Sequence, residues 1–339
     1  MKKVLVVGCG FSGATIAREL ADNGYKVEII DKRNHIGGNA YDFINEHGIR
    51  IHQYGPHIFH TNNEKVFNWL SKFTEWVPYK HKVKAMLNDG RLVTLPINRE
   101  TKEIVGEENL IDTFIRPYSE KMWAMPLEKL DPAVLNRVPM REDDNEYYFP
   151  NDEFQQMPAE GYTKMFERIL DHSNIKVFTN TVFEKGMEEH FDHVFCSMPI
   201  DEYYDYVYGK LPYRSIKFHR ITLPLPRLFP VSVVNFTHKG PFTRVVEWKN
   251  FPNHGQNEEF TTVTYEEPCD YLENDLERFY PVKDITGLNQ DIYAKYQLIE
   301  NQKVTFIGRL GLYQYLDMHQ CINISLVTAR KFIAENIIN

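Results

Sequence analysis

The sequence contains few cysteines and shows none of the patterns that bind metal ions or build disulfide frameworks. Its four cysteines, Cys9, Cys196, Cys269 and Cys321, lie far apart and have no paired spacing. The 13 histidines likewise form no His-Glu-x-x-His set. We therefore predict no metal site, and we expect the cysteines to be small buried residues in a reducing compartment.

Long apolar runs and an excess of positive charge are also missing. No run approaches the roughly 18 apolar residues that span a bilayer, and the segment after Lys2-Lys3 is broken at Gly8, unlike a signal peptide. The net charge of −8 would repel nucleic acid and anionic membranes. We expect a cytoplasmic protein without a membrane span or a nucleic-acid partner. Its 339 residues suffice for two or three domains.

The first thirty residues carry a dinucleotide-binding pattern. An apolar run at 4–7 precedes the glycine-rich sequence GCGFSG at 8–13, and an amphipathic segment follows. The glycines allow a sharp turn close to a pyrophosphate, and the start of a helix supplies free N–H groups. A second apolar run ends at Asp31, at the distance expected for a carboxylate that binds the adenosine ribose. A 2′-phosphate would be repelled there, so FAD or NAD is favoured over NADP.

A second glycine pair, Gly37-Gly38, lies just beyond the predicted ribose-binding acid. NAD-dependent enzymes have no general need for such a pair. In FAD proteins of the glutathione-reductase and amine-oxidase type, a glycine pair at this place lets the backbone follow the pyrophosphate toward the isoalloxazine ring. The pair resembles that flavin extension and favours FAD over NAD.

Helical and loop patterns follow one another in the middle of the chain. From 105 to 138 the pattern is helical, and Asp131-Pro132 has the form of an N-cap followed by proline at the first helical position. Residues 141–153 are acidic and bounded by a proline, which is typical of a mobile surface loop. We predict an inserted helical module over 98–157 with a mobile loop at 141–153.

Strand patterns lie on both sides of this module. A hairpin with an Asp-Gly turn is predicted over 82–96, and short alternating runs between 212 and 268 predict an antiparallel sheet. The predicted fold class is α/β, with a discontinuous Rossmann-like FAD-binding domain, an inserted helical module and an antiparallel β-sheet module. The predicted boundaries are 1–75, 158–205 and 296–339 for the FAD-binding domain, and 76–97 and 206–295 for the β-sheet module.

Three longer blocks resemble the UDP-galactopyranose mutase family. They are GGNAY at 37–41, GPHIFHT at 55–61 and GRLGLYQYLDM at 308–318, and the resemblance extends from end to end of the chain. Members of that family are cytoplasmic, usually dimeric flavoproteins that interconvert the pyranose and furanose forms of a nucleotide-linked galactose. The resemblance implies FAD as cofactor, a nucleotide-diphosphate sugar as substrate, and a homodimer.

The chemistry of that family places the nucleophile on the cofactor. Reduced flavin N5 attacks the anomeric carbon and displaces the nucleoside diphosphate, and the flavin-bound sugar opens through an iminium and recloses on another hydroxyl, with no net redox change. The resemblance therefore implies that no Ser, Cys or Lys activated by a base is required. It also implies that the flavin must first be reduced, with NAD(P)H as a possible reductant.

The resemblance also implies roles for individual residues. Arg141 is expected on a loop that closes over the diphosphate, and His60 and Arg244 are expected near the flavin and the sugar. The residues expected to contact the substrate are Tyr118, Trp123, Phe154, Tyr280 and Tyr315. The residues expected to contact the cofactor are Gly8, Gly10, Phe11, Ser12, Gly13, Asp31, Lys32, Gly38, Asn39, His57, Arg309, Leu316, Asp317 and Met318. Packing in the core is the alternative for Tyr118, Trp123 and Phe154.

The chain departs from the family pattern at two places. The segment between Asn98 and Asp112 is shorter than in most bacterial members. Where the family usually has a second diphosphate-binding arginine, this chain has EEPCD at 266–270. The loss of a charge-assisted contact to phosphate would cost on the order of 1.5–3 kcal/mol, unless Arg278 or another group replaces it.

Several functions are therefore compatible with the sequence. The first is the interconversion of UDP-galactopyranose and UDP-galactofuranose. The same chemistry on UDP-N-acetylgalactosamine or on a dTDP-deoxysugar is a second possibility. An FAD oxidoreductase of the amine-oxidase type shares both glycine motifs but would consume oxygen or another acceptor. A non-catalytic protein that binds a nucleotide sugar or a flavin is compatible with the missing arginine.

Overall fold

A computed structural model describes residues 2–130 and 140–337 of the chain. These residues form four sheets with helices packed on them. The strands are β1 (Lys3–Val7), β2 (Lys26–Ile30), β3 (Asp42–Ile44), β4 (Arg50–His52), β5 (Phe59–Thr61), β6 (Trp76–Pro78), β7 (Val83–Met86), β8 (Leu92–Leu95), β9 (Phe154–Pro158), β10 (Ile175–Phe178), β11 (His193–Cys196), β12 (Tyr213–Leu223), β13 (Val233–Phe236), β14 (Arg244–Glu247), β15 (Thr261–Asp270), β16 (Tyr280–Pro281) and β17 (Val304–Phe306). The helices are α1 (Phe11–Asp22), α2 (Glu64–Leu70), α3 (Arg99–Val105), α4 (Arg116–Trp123), α5 (Tyr162–Leu170), α6 (Ile200–Tyr203), α7 (Leu288–Gln297), α8 (Gly308–Gly311) and α9 (Met318–Ile337). The helix start predicted at Asp131-Pro132 lies outside the described residues.

The five-stranded sheet is parallel throughout and has the strand order β10-β2-β1-β11-β17. Its strands come from the two ends and the middle of the chain, so the predicted discontinuous Rossmann-like fold is confirmed. One face packs against α1 and α9, and the other packs against residues that include Phe183 and Tyr203. This burial on both faces is the reason that β1 is a continuous apolar run. The strand order reverses between β1 and β11, which is where doubly wound sheets bind ligands.

The seven-stranded sheet has the order β16-β12-β15-β14-β13-β7-β8. It contains the predicted hairpin as β7 and β8, and most of its pairs are antiparallel, as predicted. The exception is the pair β7–β13, which is parallel. These two strands are distant in sequence, so no short turn requires them to run in opposite directions.

A three-stranded sheet, β5-β9-β6, lies apart from the seven-stranded sheet. Strand β6 (Trp76–Pro78), predicted as part of the β-sheet module, pairs with β9 (Phe154–Pro158). The same strand β9 pairs with β5 on its other edge. This small sheet therefore brings the end of the acidic segment 141–153 beside His60.

The predicted helical stretch after residue 105 is broken into short pieces. Helix α3 ends at Gly106, whose φ of 86° favours glycine and breaks the helix. A 3₁₀ turn and a wide π turn at Ile111–Ile115 then lead into α4, which has a proline in its first turn. Proline has no N–H to donate within the preceding turn, so a regular helix cannot continue through it. Helix α9 begins at Met318, earlier than the predicted start near 323.

Among residues 2–130 and 140–337, no helix is long and apolar enough to cross a membrane. In the same residues, no group of three or more His, Cys, Asp or Glu side chains converges to hold a metal ion.

Candidate functional site

A large cavity opens at the carboxyl ends of β1, β2 and β11, and its wall includes Val7, Ile30 and Ser197. The strand order reverses at this point, where dinucleotides bind in doubly wound folds. The predicted cofactor residues that line the cavity are Gly8, Gly10, Phe11, Ser12, Gly13, Asp31, Lys32, Gly38, Asn39, His57, Arg309, Leu316 and Met318. Asp317 is not part of the wall, although both of its neighbours are.

The two glycine turns lie in direct contact at the wall of this cavity, where the backbone N–H of Gly37 donates to the carbonyl oxygen of Cys9 at 2.9 Å. A Cβ atom added to Gly38 would lie 2.7 Å from the Cα of Gly10, and Gly38 has a φ of 54°. A Cβ atom on Gly13 would lie 1.9 Å from the carbonyl oxygen of Gly8. Side chains at these positions would collide with the backbone of the first glycine turn. The Gly10 cap provides no side chain to the first turn of α1, so the N–H groups there are available to an anion.

Asp31 is held at the end of β2 and is only 8% exposed. The backbone N–H of Cys9 donates to Oδ2 at 2.8 Å, and that of Arg33 donates to Oδ1 at 2.9 Å. Each carboxylate oxygen keeps a lone pair for a further donor. This arrangement suits the two adjacent hydroxyls of a ribose. The glycine cradle and Asp31 together fit a dinucleotide such as FAD.

A second set of groups surrounds Arg244, the first residue of β14. Its Nε–H donates to Oε2 of Glu266 at 2.7 Å. Burial lowers the pKa of the guanidinium, but the charge and hydrogen bond of Glu266, together with Tyr118 and Tyr280, outweigh burial and raise that pKa. Burial raises the pKa of the neighbouring Tyr118 to about 12. At neutral pH the set thus contains a permanent cation and a phenol that keeps its proton.

Two predicted substrate residues, Tyr280 and Tyr315, stack on each other at a ring distance of 5.0 Å. The guanidinium carbon of Arg309 lies 5.8 Å from the first ring and 5.0 Å from the second. Arg309 also donates Nε–H to the carbonyl oxygen of Leu316 at 2.6 Å, which fixes its position. Since Arg309 lines the cavity, the tyrosine pair adjoins the predicted cofactor site.

His57 lines the cavity, and its ring is locked by its surroundings. Its Nδ1 lies 2.8 Å from the carbonyl oxygen of Gly55, so Nδ1 is the donor and Nε2 is left as an acceptor. Burial and the charges of Arg309 and Arg244 lower the pKa of His57 to about 4, although the hydrogen bond to Gly55 acts in the opposite direction. His57 is therefore a neutral ring at physiological pH.

Two buried histidines that the sequence did not indicate lie behind His57. The backbone N–H of His57 donates to Nδ1 of His52 at 3.0 Å, and Nε2 of His52 lies 3.0 Å from Nε2 of His254. His254 Nδ1 lies 2.8 Å from the carbonyl oxygen of Pro252, to which it donates. Both rings are buried. Nothing in the sequence connects residues this far apart, so no local signal could have indicated the pair.

The segment 141–153 packs against His60. The imidazole Nδ1 of His60 lies 2.6 Å from Oδ2 of Asp152, and its ring stacks on Phe149 at 3.6 Å. Arg141 donates to the carbonyl oxygens of Tyr147 and Tyr148 at 2.6 and 3.1 Å. Its guanidinium therefore stabilises the conformation of the segment. The contact of Arg141 with a diphosphate stays a prediction.

Trp123 and Phe154 are placed in packed surroundings. Trp123 is buried in an apolar cluster that also contains Met122 and Phe279 and against which Tyr118 packs. Phe154 stacks on Phe67 at 4.2 Å. Because side chains alternate along a strand and Gln155 is the residue opposite His60, Phe154 lies on the other face of the small sheet. The stacking on Phe67 agrees with the packing alternative for Phe154, and its contact with the nucleotide stays a prediction.

Arg278, the suggested replacement for the missing arginine, is engaged elsewhere. Its Nη1 donates to Oε2 of Glu202 at 2.6 Å, and its guanidinium lies 4.7 Å from the ring centre of Tyr271. This ion pair argues against Arg278 as a free group for the substrate diphosphate. Among the described residues, Arg309 and Arg244 lie beside the tyrosine pair.

Comparisons with known proteins cover almost the whole chain. Residues 113–315 match the family profile of UDP-galactopyranose mutase, and residues 6–73 match that of an NAD(P)-binding Rossmann-like domain. A Klebsiella pneumoniae protein named "Probable UDP-galactopyranose mutase" is 36% identical over 98% of this chain and 95% of its own length. The dTDP-fucopyranose mutase of Escherichia coli is also 36% identical, over 99% of this chain and 100% of its own length.

Solved structures agree on the fold. A crystal structure of reduced UDP-galactopyranose mutase has a TM-score of 0.75 at 16% identity and covers 98% of this chain and 94% of its own. Putrescine oxidase has a TM-score of 0.56 at 13% identity and covers 98% of this chain and 99% of its own. At these identities the likeness shows the fold alone. The profile match and the curated relatives, in contrast, identify the family. This chain belongs to the UDP-galactopyranose mutase family, whose members are isomerases.

Proposed function

We propose that this chain interconverts UDP-galactopyranose and UDP-galactofuranose, using a bound FAD that must be reduced. The observation that carries the proposal is the position of Arg309. This residue lines the glycine cavity and also lies over the stacked rings of Tyr280 and Tyr315. A dinucleotide cradle and a cationic, aromatic pocket thus share one wall, as a reaction between a flavin and a nucleotide sugar requires.

The residues of the cavity would hold FAD. The turns at Gly10 and Gly38 leave room for a diphosphate at the start of α1, and Asp31 accepts the ribose hydroxyls. Helix α9 begins at Met318 on the cavity wall, where the positive end of its dipole favours an anionic ring. When bound and reduced, FAD would supply the electron pair that displaces the diphosphate from the sugar, with no net oxidation.

The protein's own part is to bind the leaving group. Arg244 and Arg309 would neutralise the diphosphate, and the hydroxyls of Tyr280 and Tyr315 would donate hydrogen bonds to it. Tyr118 keeps its proton, since burial raises its pKa to about 12, and it can stack on the nucleotide base. We assign Arg141 to the diphosphate as well, delivered by the segment 141–153.

His60 is proposed as a positioning residue. Its ring lies between Phe149 and His319, and its Nδ1 is held by Asp152. These contacts fix the ring from several sides. We therefore assign it the task of holding the segment 141–153 against the site.

A second candidate function is the same chemistry on a dTDP-deoxysugar. The relative named dTDP-fucopyranose mutase is as similar to this chain as the Klebsiella relative is, at 36% identity. The absence of the family's second diphosphate-binding arginine from 266–270 also leaves room for a different nucleotide sugar.

The test uses the purified, flavin-loaded protein. The protein is reduced with dithionite and incubated with UDP-galactofuranose, and separately with dTDP-fucopyranose, and the products are separated by anion-exchange chromatography. We expect UDP-galactopyranose in the first reaction and no conversion by the oxidised protein. If the reduced protein converts only the dTDP sugar, the second candidate function, a dTDP-deoxysugar mutase, would replace the first.

Two further results would contradict the proposal more deeply. A colourless preparation that takes up no FAD would exclude flavin chemistry altogether. Oxygen consumption that depends on an amine substrate would indicate an oxidase of the amine-oxidase type.

The physiological reductant and the assembly are also part of the proposal. We propose NAD(P)H as reductant, a homodimer as the assembly, and the cytoplasm as the location. Anaerobic bleaching of the flavin by NADH or NADPH tests the first, and light scattering of the purified protein tests the second.

A further inference from the structure

The cavity has a wall that the sequence did not indicate, formed by residues 275–278. We propose that this segment, here called the clasp, is part of the cofactor site and closes over the adenosine half of the bound flavin dinucleotide. The proposal rests on the proposed FAD cofactor. The clasp follows the turn at Tyr271–Glu273 and precedes β16, so it is delivered by the seven-stranded sheet.

The clasp lies at the end of the cavity that contains Asp31. Leu276, Glu277 and Arg278 all line the same cavity as the glycine turns. The carboxylate of Glu277 pairs with Arg33, and its Oε1 lies 3.3 Å from Nζ of Lys32. Both cations directly follow Asp31 in the chain. Since an acid at the end of β2 binds the adenosine ribose in dinucleotide folds, the clasp covers the adenosine end.

Glu277 is well placed to hold the clasp down. Burial would raise the pKa of Glu277, but the charges of Arg33 and Lys32 outweigh burial and lower that pKa, so the carboxylate is charged at neutral pH. Arg33 is itself fixed, because it donates to Oδ1 of Asn39 at 2.9 Å and lies 4.1 Å from the ring centre of Tyr54. The ion pair therefore joins the clasp to a rigid part of the cofactor cradle.

Arg278 supplies a buried donor on this wall. The residue is 6% exposed, and its Nε–H has no acceptor among residues 2–130 and 140–337. A buried N–H without a partner is costly in a folded protein unless a ligand supplies the acceptor. The nitrogens and oxygens of an adenosine are acceptors of the right kind.

Leu276 has two features that a ligand would explain. Its side chain is 48% exposed although it is apolar and lines the cavity, and Val182, 63% exposed, lines the same cavity. Asp275 and Leu276 also have φ values of 50° and 60°, a left-handed conformation that is strained for both residues. We infer that this backbone is held so that Leu276 lies against an apolar face of the adenosine.

The first test replaces Leu276 with glycine. Glycine accepts a φ of 60° without strain, so we expect the thermal midpoint of the flavin-free Leu276→Gly variant to equal or exceed that of the wild type. FAD should nevertheless leave the variant roughly tenfold faster, because apolar cover is lost. The measurement is the recovery of flavin fluorescence after dilution of the holoprotein. A purely structural role of Leu276 would lower the flavin-free midpoint and leave the FAD dissociation rate unchanged, and that result would overturn the proposal.

The second test reverses the charge of Glu277. If only the overall charge near the cavity mattered, Glu277→Lys would bind the anionic cofactor more tightly. The clasp predicts the opposite: FAD should dissociate roughly tenfold faster, because Lys32 and Arg33 then repel the segment. Glu273→Lys makes the same charge change at an exposed carboxylate of the same connection and should alter the rate less than twofold. An unchanged or slower rate in Glu277→Lys would refute the proposal. If that variant does not fold, Glu277→Gln decides on the same criterion.

Failure of this inference is distinguishable from failure of the proposed function. A wild-type protein that binds no FAD would refute the function. A wild type that retains FAD, with Leu276→Gly and Glu277→Lys retaining it equally well, would refute the clasp alone.

Discussion

Arg244 and Glu266 lie directly opposite each other on β14 and β15, and the arginine donates Nε–H to the carboxylate at 2.7 Å. Glu266 is 1% exposed, and its other oxygen has no partner among the described residues. The guanidinium of Arg244, which is proposed to bind the substrate diphosphate, is thus positioned by the carboxylate of Glu266, which is shielded from water. This pair links the stability of the seven-stranded sheet to the function of the site.

We predict that Glu266→Ala lowers the free energy of unfolding by about 3 kcal/mol, because it leaves the partly buried charge of Arg244 without the buried carboxylate that is its partner. Arg244→Met should also destabilise the protein, and the double variant should cost less than the sum of the two single variants. Urea denaturation of all four proteins measures this coupling. Removal of the exposed pair Arg99 and Asp144 is the control and should cost less than about 1 kcal/mol. Strict additivity of the Arg244 and Glu266 effects would contradict the prediction.

Arg141→Ala should reduce turnover about 100-fold or more, since it removes a cation proposed to bind the diphosphate as it leaves. FAD content should remain at the wild-type level, because Arg141 does not line the cofactor cavity. Steady-state rates and the flavin-to-protein absorbance ratio measure the two effects. Glu142→Ala, which removes the neighbouring exposed carboxylate paired with Lys102, should leave turnover within a few-fold of the wild type. Wild-type turnover in Arg141→Ala would show that the loop residue has been assigned the wrong role.

The protein should lose stability as the pH falls from about 6.5 toward 4. Burial lowers the pKa of His254 to about 4, and burial lowers that of His52 well below its ordinary value. Between these pH values the unfolded chain binds protons that the folded chain excludes. Each such histidine therefore contributes stability that is fully present above pH 6.5 and decreases as the pH falls, by up to about 1.4 kcal/mol per pH unit.

The variant His254→Gln tests this pH dependence. It should reduce the difference between the unfolding midpoints at pH 7 and pH 5, because glutamine takes up no proton when the chain unfolds at low pH. The same change at the exposed His190 should leave the difference as in the wild type. A pH difference that is identical in His254→Gln and the wild type would exclude the buried pair as its source.

Gly38→Ala should weaken FAD binding more than tenfold. The added methyl would lie 2.7 Å from the Cα of Gly10 and would push apart the two turns that are proposed to hold the cofactor diphosphate, and the φ of 54° adds strain. Gly24→Ala is the matched control, because that glycine also has a positive φ, of 84°, but nothing lies within 4 Å of the added atom. Its cost should appear as about 1 kcal/mol of stability, with FAD affinity unchanged. Equal FAD affinities of the two variants, measured by fluorescence titration, would argue against the cradle.

The sequence by itself determined the parts of the site that depend on neighbouring residues. The strand, glycine turn and helix at the start of the chain, and the acid at the end of β2, are specified by local chemistry, because only glycine accepts that turn and only a buried strand needs a continuous apolar run. The long blocks around Gly38, His57 and Arg309 were sufficient to indicate the family, because each is a continuous stretch of neighbouring residues.

Only the tertiary structure decided which distant residues meet. Four contacts join segments that are far apart in the chain: His52 with His254, β7 parallel to β13, Phe154 on Phe67, and Glu277 beside Arg33. Periodicity gives the two faces of a strand but does not say which face meets the site. Likewise, no sequence pattern specifies the partner of a buried polar group, because that partner is selected by the packing of the whole core.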